Sequence, residues 1–332
     1  SAVSLKAFET LPGEFNALLD TRIWIEAGHD IWRGVARSPW PLALALLAGL
    51  LLARRQSLSS ALLDCGRDIG SIRRDRMTFT WQAVALTLLQ AVPGTLLLTA
   101  LGWALIVADA TAPFSVGLAD ALLKTSILLL LVNSLFKLSI PGGLAERHFD
   151  WETTTVAELH RELAWFRVLG VPLYLVSEIA VAVDPSHDGG TLGLLTFIAY
   201  LLLLLALTAR LLHPGRGVIR QCLCQHRNSV WWRWRYLWFA VAVAIPLSMM
   251  VAELTGYTVS AGELMNRWTL SVWLLTGAWL GGDLVNRWLL VTRRRLAFEA
   301  AMKDRDALRA RRAGDDEVET ADQATDIDIG AP

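Results

Sequence analysis

The strongest candidate for chemistry in this sequence is a cluster of two thiols and an imidazole, Cys222, Cys224 and His226, in a C-x-C-x-H pattern. Thiolates and imidazoles bind zinc and other soft metals, but a closed zinc site needs four ligands. The sequence has one further cysteine, Cys65, and no second paired cluster. It also lacks a phosphate-binding glycine loop, a nucleophile elbow and the helical H-E-x-x-H pattern. We therefore predict no bound metal, no cofactor and no enzyme activity.

Charged side chains within apolar stretches are the second class of candidate, because a charge in hydrocarbon is costly and often functional. Asp120 and Lys124 are four residues apart and would share a helix face, so we expect them to pair. Glu178, Glu253 and Asp283 lie near the ends of apolar stretches, away from the midplane where transporters place coupling sites. Structural pairing is the favoured interpretation, and a solute-binding transporter or permease domain is the alternative.

Three uncharged features predict how helices pack and bend. Asn133, inside a long apolar stretch, is expected to hydrogen-bond to a neighbouring helix, and Gly277 and Gly281 form a G-x-x-x-G step that favours close helix packing. Three prolines in apolar stretches are expected to kink their helices: Pro93, Pro172 and Pro246. Their separations of 79 and 74 residues suggest a repeated hairpin unit. The alternative is that proline is simply frequent in membrane helices.

The elements that must position these residues are membrane helices. The chain is 54% hydrophobic and 19% charged, more apolar and less charged than an ordinary soluble domain. Uncharged runs of 26 residues (83–108) and 19 residues (191–209) can cross a bilayer as helices. Shorter runs can be extended by snorkelling flanks. We predict an all-α membrane protein whose seven transmembrane helices form antiparallel hairpins, at 38–54, 82–108, 116–139, 166–183, 190–210, 235–256 and 267–291.

The distribution of basic residues predicts the orientation of the chain in the membrane. Of 31 lysines and arginines, 25 fall in four connections that all lie on one side of the predicted bundle. By the positive-inside rule that side is cytoplasmic. We therefore predict a multi-pass protein of a bacterial inner membrane, with a periplasmic lead-in segment at 1–37 and a cytoplasmic C-terminus. Residues 293–313 are predicted to form a basic cytoplasmic helix, and residues 314–332, rich in acids, a flexible linker.

Tryptophans near the predicted span ends are expected to act as interface anchors: Trp81, Trp231, Trp232 and Trp234. The run 230–235 (VWWRWR) combines aromatic and basic side chains but adjoins a predicted span. Its expected partners are therefore membrane lipids with anionic headgroups. The formal net charge of zero likewise gives no reason to expect a nucleic-acid partner.

Three segments resemble the large, MscK-like branch of the MscS mechanosensitive channel family. Residues 18–25 (LLDTRIWI) are similar to the segment that leads into the first membrane helix of that branch. Residues 141–151 (PGGLAERHFDW) resemble a P-x-G-L-A-x-x-H-F-G-W stretch after the third helix, with Asp150 where glycine is more usual. Residues 294–302 (RRLAFEAAM) resemble the basic helix after the seventh span.

The resemblance implies that this segment is the first inner-membrane domain of such a channel, N-terminal to a pore domain absent from this fragment. It also implies a tension-sensing or accessory role and a homo-oligomer, suggested to be a ring of seven. The alternating Ala and Gly pattern of the family's pore helix has no counterpart here. A structural scaffold that holds a periplasmic partner near the membrane remains a further alternative.

Overall fold

The computed structural model describes residues 5–65, 77–183, 190–215 and 233–328. These residues form helices and no strand, which confirms the predicted all-α fold class. The helices are α1 (Leu5–Leu18), α2 (Thr21–Arg37), α3 (Trp40–Ala53), α4 (Arg55–Cys65), α5 (Met77–Ala91), α6 (Pro93–Val107), α7 (Pro113–Leu138), α8 (Leu144–Arg147), α9 (Thr153–Val183), α10 (Gly190–Leu212), α11 (Arg235–Leu254) and α12 (Thr258–Asp328).

Four of these helices, α7, α9, α10 and α11, are each long and apolar enough to cross a membrane alone. Two further candidates are bent pairs: Leu11–Arg37 meets α3 at 97°, and α5 meets α6 at 50°. The described residues thus hold four candidate spans, or up to six if each bent pair counts as one. The predicted seventh span lies within α12, where the uncharged run 268–282 has only 15 residues. A helix of that length reaches about 22 Å, less than the roughly 30 Å of the hydrocarbon core.

The last helix differs from the sequence prediction. Residues 314–332 were expected to form a flexible acidic linker, yet α12 continues through them to Asp328 as part of a 71-residue helix. No proline occurs between residues 258 and 328. Alanine, glutamate and arginine, which are frequent from residue 293 onward, are strong helix formers. Gly314 is of a residue type that often ends helices, yet it lies inside α12 and does not end it.

The centre of the bundle lies between α7, α9 and α10. Phe166 of α9 and Tyr200 of α10 are almost completely buried. The Tyr200 ring lies 5.0 Å from that of Tyr174 and 6.2 Å from those of Phe166 and Phe197, measured between ring centroids. Because rings at these separations attract each other beyond their burial, this aromatic cluster holds α9 and α10 together. Helices α3, α11 and α12 lie at the periphery and expose many leucine side chains.

The bundle has two ends, which are named here by the connections they contain. The turn end holds residues 108–112, between α6 and α7, where Asp109 has a φ of 52°. The motif end holds residues 139–152, between α7 and α9. The short turn between α11 and α12, with Gly256 at a φ of 91°, also makes these two helices a hairpin. Such tight reversals place consecutive helices side by side and antiparallel.

Candidate functional site

Residues 141–151 at the motif end form a compact loop around the short helix α8. The backbone N–H of Gly142, at a φ of 71°, donates to the Glu146 carboxylate at 2.7 Å. Asp150 has a φ of 57°, in the left-handed region that glycine adopts most easily. This geometry explains why a glycine is the usual residue at this place in the resembling stretch. Aspartate is tolerated because it visits the left-handed region more readily than most residues.

The same loop connects helices that are far apart in the chain. His148 Nδ1 lies 3.2 Å from the Thr80 hydroxyl of α5, and both side chains are buried. The Trp151 indole N–H donates to the Asp283 carboxylate of α12 at 3.0 Å, and its ring stacks on Trp279 with centroids 5.2 Å apart. Apolar residues of α4, α5, α7 and α9 pack beneath the loop. The loop therefore joins five helices at one point, and we call residues 141–151 the motif loop.

Helix α2, which we call the strap, crosses the turn end of the bundle. Its Gly34 lies directly against the backbone of Ala104 in α6, so that a Cβ atom at position 34 would overlap the Ala104 carbonyl group. The Arg37 guanidinium donates to the Ala108 carbonyl at 2.6 Å, at the C-terminus of α6. A cation at this position also interacts favourably with the negative end of the helix dipole. Both contacts fix the strap to α6.

The segment before the strap reaches the N-terminus of α10. The Glu14 carboxylate accepts hydrogen bonds from the backbone N–H groups of Thr191 at 3.1 Å and Leu192 at 2.7 Å. A carboxylate at a helix N-terminus satisfies otherwise unpaired N–H groups and complements the positive end of the dipole. The Trp24 ring packs edge-on against Phe114, the second residue of α7. The lead-in segment thus contacts the ends of α6, α7 and α10.

Three charged side chains meet between α7 and α9. The Lys124 ammonium lies 2.7 Å from the Asp120 carboxylate, as predicted, and 3.2 Å from the Glu178 carboxylate. The Glu178 side chain is only 15% exposed, whereas those of Lys124 and Asp120 are 41% and 61% exposed. One ammonium between two carboxylates satisfies the most buried charge. The sequence predicted the local pair but not the link to α9.

A second charged group, missed by the sequence analysis, lies near the motif end between α9 and α10. The buried Glu162 carboxylate accepts hydrogen bonds from the Trp165 indole at 2.7 Å and from Arg210 at 3.3 Å. Arg161 lies 3.3 Å from the other oxygen of the same carboxylate. Because Glu162 and Arg210 are 48 residues apart, no local spacing could have identified the pair.

The predicted proline kinks differ from one another in the structure. Pro93 is the first residue of α6 and stands at the 50° bend with α5. Pro172 and Pro246 lie inside the continuous helices α9 and α11. At the bend the Asn133 side-chain amide donates to the Ala91 carbonyl at 3.3 Å. A neighbouring side chain thus satisfies a backbone group that the break releases.

The other predicted packing and anchoring residues lie on open surfaces. Apart from the backbone of α12 itself, no described residue comes within 4 Å of a Cβ built at Gly277 or Gly281, so these glycines pack against no other described helix. Trp81 and Trp234 are about half exposed near the first residues of α5 and α11, at 56% and 52%. The other two predicted anchors, Trp231 and Trp232, lie outside the described residues.

No described group of three His, Cys, Asp or Glu side chains is arranged to hold a metal ion. The cluster of Cys222, Cys224 and His226 lies outside the described residues. Cys65, at the end of α4, is partly buried beside the motif loop. Burial and, to a smaller extent, the Asp64 carboxylate raise the pKa of its thiol. The thiol therefore stays neutral near pH 7, a form that binds metals poorly.

Comparison with known proteins identifies the family. A family model described as mechanosensitive ion channel inner membrane domain 1 matches residues 39–330. The chain is 27% identical over 272 residues to the miniconductance mechanosensitive channel MscM of Escherichia coli (strain K12), covering 82% of this chain and 24% of that protein. It is 27% identical over 305 residues to the mechanosensitive channel MscK of the same organism, covering 92% of this chain and 26% of that protein.

No solved structure matches the chain. The chain spans about a quarter of the length of both relatives. The family description, together with the apolar helices, makes it a multi-pass inner-membrane protein. The chain belongs to the MscS family of mechanosensitive channels, as an inner membrane domain 1 of the MscK-like type.

Proposed function

We propose that this domain is the tension-sensing accessory part of an MscS-family channel and has no enzyme activity. In this proposal the pore belongs to another part of a longer parent protein, which assembles as a homo-oligomer, with seven subunits as the family resemblance implies. The lengths of the two channel relatives, about four times that of the matched region, support the idea of additional domains. The observation that supports the sensing role is the 97° bend between the strap and α3.

The proposed orientation has the motif end in the cytoplasm and the turn end in the periplasm. Arg54 and Arg55 follow α3 at the motif end, and Lys137 is the last residue but one of α7. The connection between α6 and α7, residues 108–112, has no lysine or arginine. This asymmetry supports a cytoplasmic motif end by the positive-inside rule.

Helix α3 is too short for the bilayer that it has to cross. Its 14 residues reach about 21 Å, roughly 9 Å less than the hydrocarbon core. Such a mismatch costs fractions of a kcal/mol per Å, either as local bilayer thinning or as exposure of polar flanks. When tension thins the membrane, the free-energy cost of the mismatch between α3 and the hydrocarbon core falls. Thinning therefore stabilises arrangements in which α3 spans the membrane fully, and this preference is the proposed sensor.

The strap offers a route by which a movement of α3 reaches the bundle. It meets α3 at 97°, so a tilt of α3 becomes a displacement of the strap along the turn end. The Gly34 contact and the Arg37 hydrogen bonds would pass that displacement to α6. At the opposite end of the bundle, the motif loop links α4, α5, α7 and α9 to α12. Through α12 the movement would reach whatever part of the parent protein follows.

The experiment that tests this proposal lengthens α3 by one turn. Four residues, Leu-Ala-Leu-Leu, are inserted after Ala53 in the parent channel, which adds about 6 Å of helix. The suction needed to open the channel is then measured in patches from giant spheroplasts. We expect a higher threshold, because a longer α3 gains less from thinning. The matched control carries the same insertion after Pro214, in the connection that follows α10. An unchanged threshold with the α3 insertion would favour a structural scaffold.

The charged group of Asp120, Lys124 and Glu178 supports one rival function, a proton-coupled transporter, because intramembrane carboxylates can relay protons. The rival is tested in liposomes that contain the purified chain and a pH-sensitive dye, under an imposed proton gradient. Proton flux that Glu178→Gln abolishes, with the protein still folded, would favour the transporter. The sensor proposal predicts no flux above that of empty liposomes.

A further inference from the structure

A groove at the motif end carries three cations and no acid. It lies between α3, α4, α7 and α9, beside the bend that joins α5 to α6, and its volume is about 350 Å³. Arg55, Lys137 and Arg167 contribute the charges to its lining. None of these three side chains binds a ligand in the proposed sensing or transport functions. We call this the basic groove.

The three cations are neighbours with no counter-ion among the described residues. All three side chains line the same groove, so their positive charges lie close together. Among the described residues, no carboxylate lies within 4 Å of any of the three side chains. Three like charges gathered in a partly buried groove repel one another unless an anion lies between them. An anion bound in the groove would remove this repulsion.

The charged groups elsewhere in the bundle are paired differently. Lys124 lies between two carboxylates, and Glu162 binds both Arg161 and Arg210. In those places the chain supplies the acid itself. The basic groove is therefore unusual among the charged clusters of the described residues, because none of those residues supplies an acid to it.

One of the arginines is held in place before any ligand arrives. The Arg167 guanidinium lies 4.1 Å from the centroid of the Phe136 ring. The same ring stacks on His160, with centroids 4.1 Å apart and an angle of 26° between the planes. The His160 Nδ1 atom lies 3.3 Å from the Ser139 hydroxyl. A fixed guanidinium loses less side-chain entropy when it binds an anion and presents its planar donors to phosphate oxygens.

Apart from the side-chain amides of Gln90 and Asn133, the remaining side chains that line the basic groove are apolar. Leu51, Leu52, Leu58 and Phe136 line it together with the cations. Leu52 is 45% exposed, and Leu50 beside it is 56% exposed, so the apolar wall continues onto the outer surface of α3. Arg55 begins α4 and Lys137 lies one residue before the end of α7, so both charges lie at the boundary of the spans. A ligand that fits has an anionic phosphate at this boundary and a hydrocarbon chain along α3.

We propose that the basic groove binds an anionic phospholipid, with the headgroup phosphate between Arg55, Lys137 and Arg167 and an acyl chain along Leu51 and Leu52. The site favours anionic lipids over zwitterionic ones. A zwitterionic headgroup carries a cation of its own, which the three cations of the groove would repel. A basic pocket between membrane helices is a known physical solution for such headgroups. Binding of an anionic lipid in the basic groove does not require that the domain senses tension.

The test measures lipid binding to the purified 332-residue chain in detergent by native mass spectrometry. The probes are dioleoylphosphatidylglycerol, dioleoylphosphatidylcholine and inorganic phosphate. The variant Arg55→Gln/Lys137→Gln/Arg167→Gln removes the three charges. The matched control, Arg54→Gln, removes an exposed neighbouring charge that does not line the groove. A second variant, Arg55→Lys/Arg167→Lys, keeps the charge if the glutamine variant fails to fold.

We expect the wild-type chain and Arg54→Gln to bind phosphatidylglycerol more tightly than phosphatidylcholine. Each removed charge near a membrane surface should weaken binding about fivefold, so the triple variant should lose about a hundredfold in affinity for phosphatidylglycerol. The lysine variant should retain the preference. Equal binding of the two lipids to the wild-type chain, or an equal loss in Arg54→Gln, would overturn the proposal. Displacement of the lipid by an equal concentration of inorganic phosphate would show a free-phosphate site and overturn the lipid assignment.

Discussion

The contact between the strap and α6 can be tested by adding one methyl group. Gly34→Ala places a Cβ atom on the Ala104 carbonyl, and backbone lies on both sides of the overlap. No side-chain rotation relieves it, so the strap must move away from α6. Forced overpacking of this kind costs about 1–3 kcal/mol. Alanine also favours a helix by up to about 1 kcal/mol over glycine. The net expectation is a loss of up to about 2 kcal/mol in the free energy of unfolding.

The same helix supplies the matched control. Gly28 lies six residues earlier in α2, and a Cβ built there meets nothing within 4 Å. Gly28→Ala therefore gains the helix preference without the overlap and should raise the free energy of unfolding by up to about 1 kcal/mol. The difference between the two variants isolates the contact with α6, because the substitution and the helix are the same.

The assay is thermal unfolding of the purified chain in a mild detergent, together with amide hydrogen exchange. Gly34→Ala should unfold at a lower temperature than the wild-type chain, and Gly28→Ala at the same or a higher one. Exchange should accelerate in the strap and in the last turn of α6, where Arg37 now reaches the Ala108 carbonyl. Equal stability of the two variants, with unchanged exchange in the strap, would refute the close contact of Gly34 with α6.

Three further predictions concern single residues. Asp150→Gly should raise the free energy of unfolding by about 0.5–1 kcal/mol, because glycine adopts the φ of 57° without strain. Denaturation in detergent measures this change, and a loss of stability would contradict the left-handed backbone conformation at position 150. Lys124→Ala should destabilise the chain by about 3 kcal/mol by leaving Glu178 buried without its cation, and adding Glu178→Gln should restore part of the loss in the same assay. Glu14→Gln should lower the free energy of unfolding by about 1 kcal/mol, since a neutral cap interacts more weakly with the α10 N-terminus. Hydrogen exchange at the Thr191 and Leu192 amides should become faster, and unchanged exchange there would exclude the Glu14 cap.

The features that could be predicted from the sequence depend on composition and on short spacings. Long uncharged runs predicted the all-α membrane fold, because a backbone in lipid must satisfy its own hydrogen bonds. The pair of Asp120 and Lys124 followed from a spacing of four residues on one helix face. The position of Asn133 in a long apolar stretch predicted an interhelical hydrogen bond, and its amide contacts Ala91. Each of these predictions needed only local information.

The features that escaped prediction depend on how the helices are arranged in space. The Glu14 cap on α10, the contact of His148 with Thr80 and the Glu162–Arg210 pair join residues at least 48 positions apart. Helical periodicity does not fix which helices become neighbours. The acidic segment after residue 313 escaped for another reason: a composition that cannot form a core can still continue a helix that begins in the membrane.

The central claim is that this domain sets the tension at which the parent channel opens. Its most direct test compares patches from giant spheroplasts that express the parent protein with and without residues 40–290, under stepped suction, after membrane insertion of both forms has been established. The account predicts suction-gated currents from the intact protein and a shifted threshold in the form that lacks the domain. Currents with the same threshold in both forms would contradict the sensing role, and no suction-gated current from the intact protein would favour the transporter.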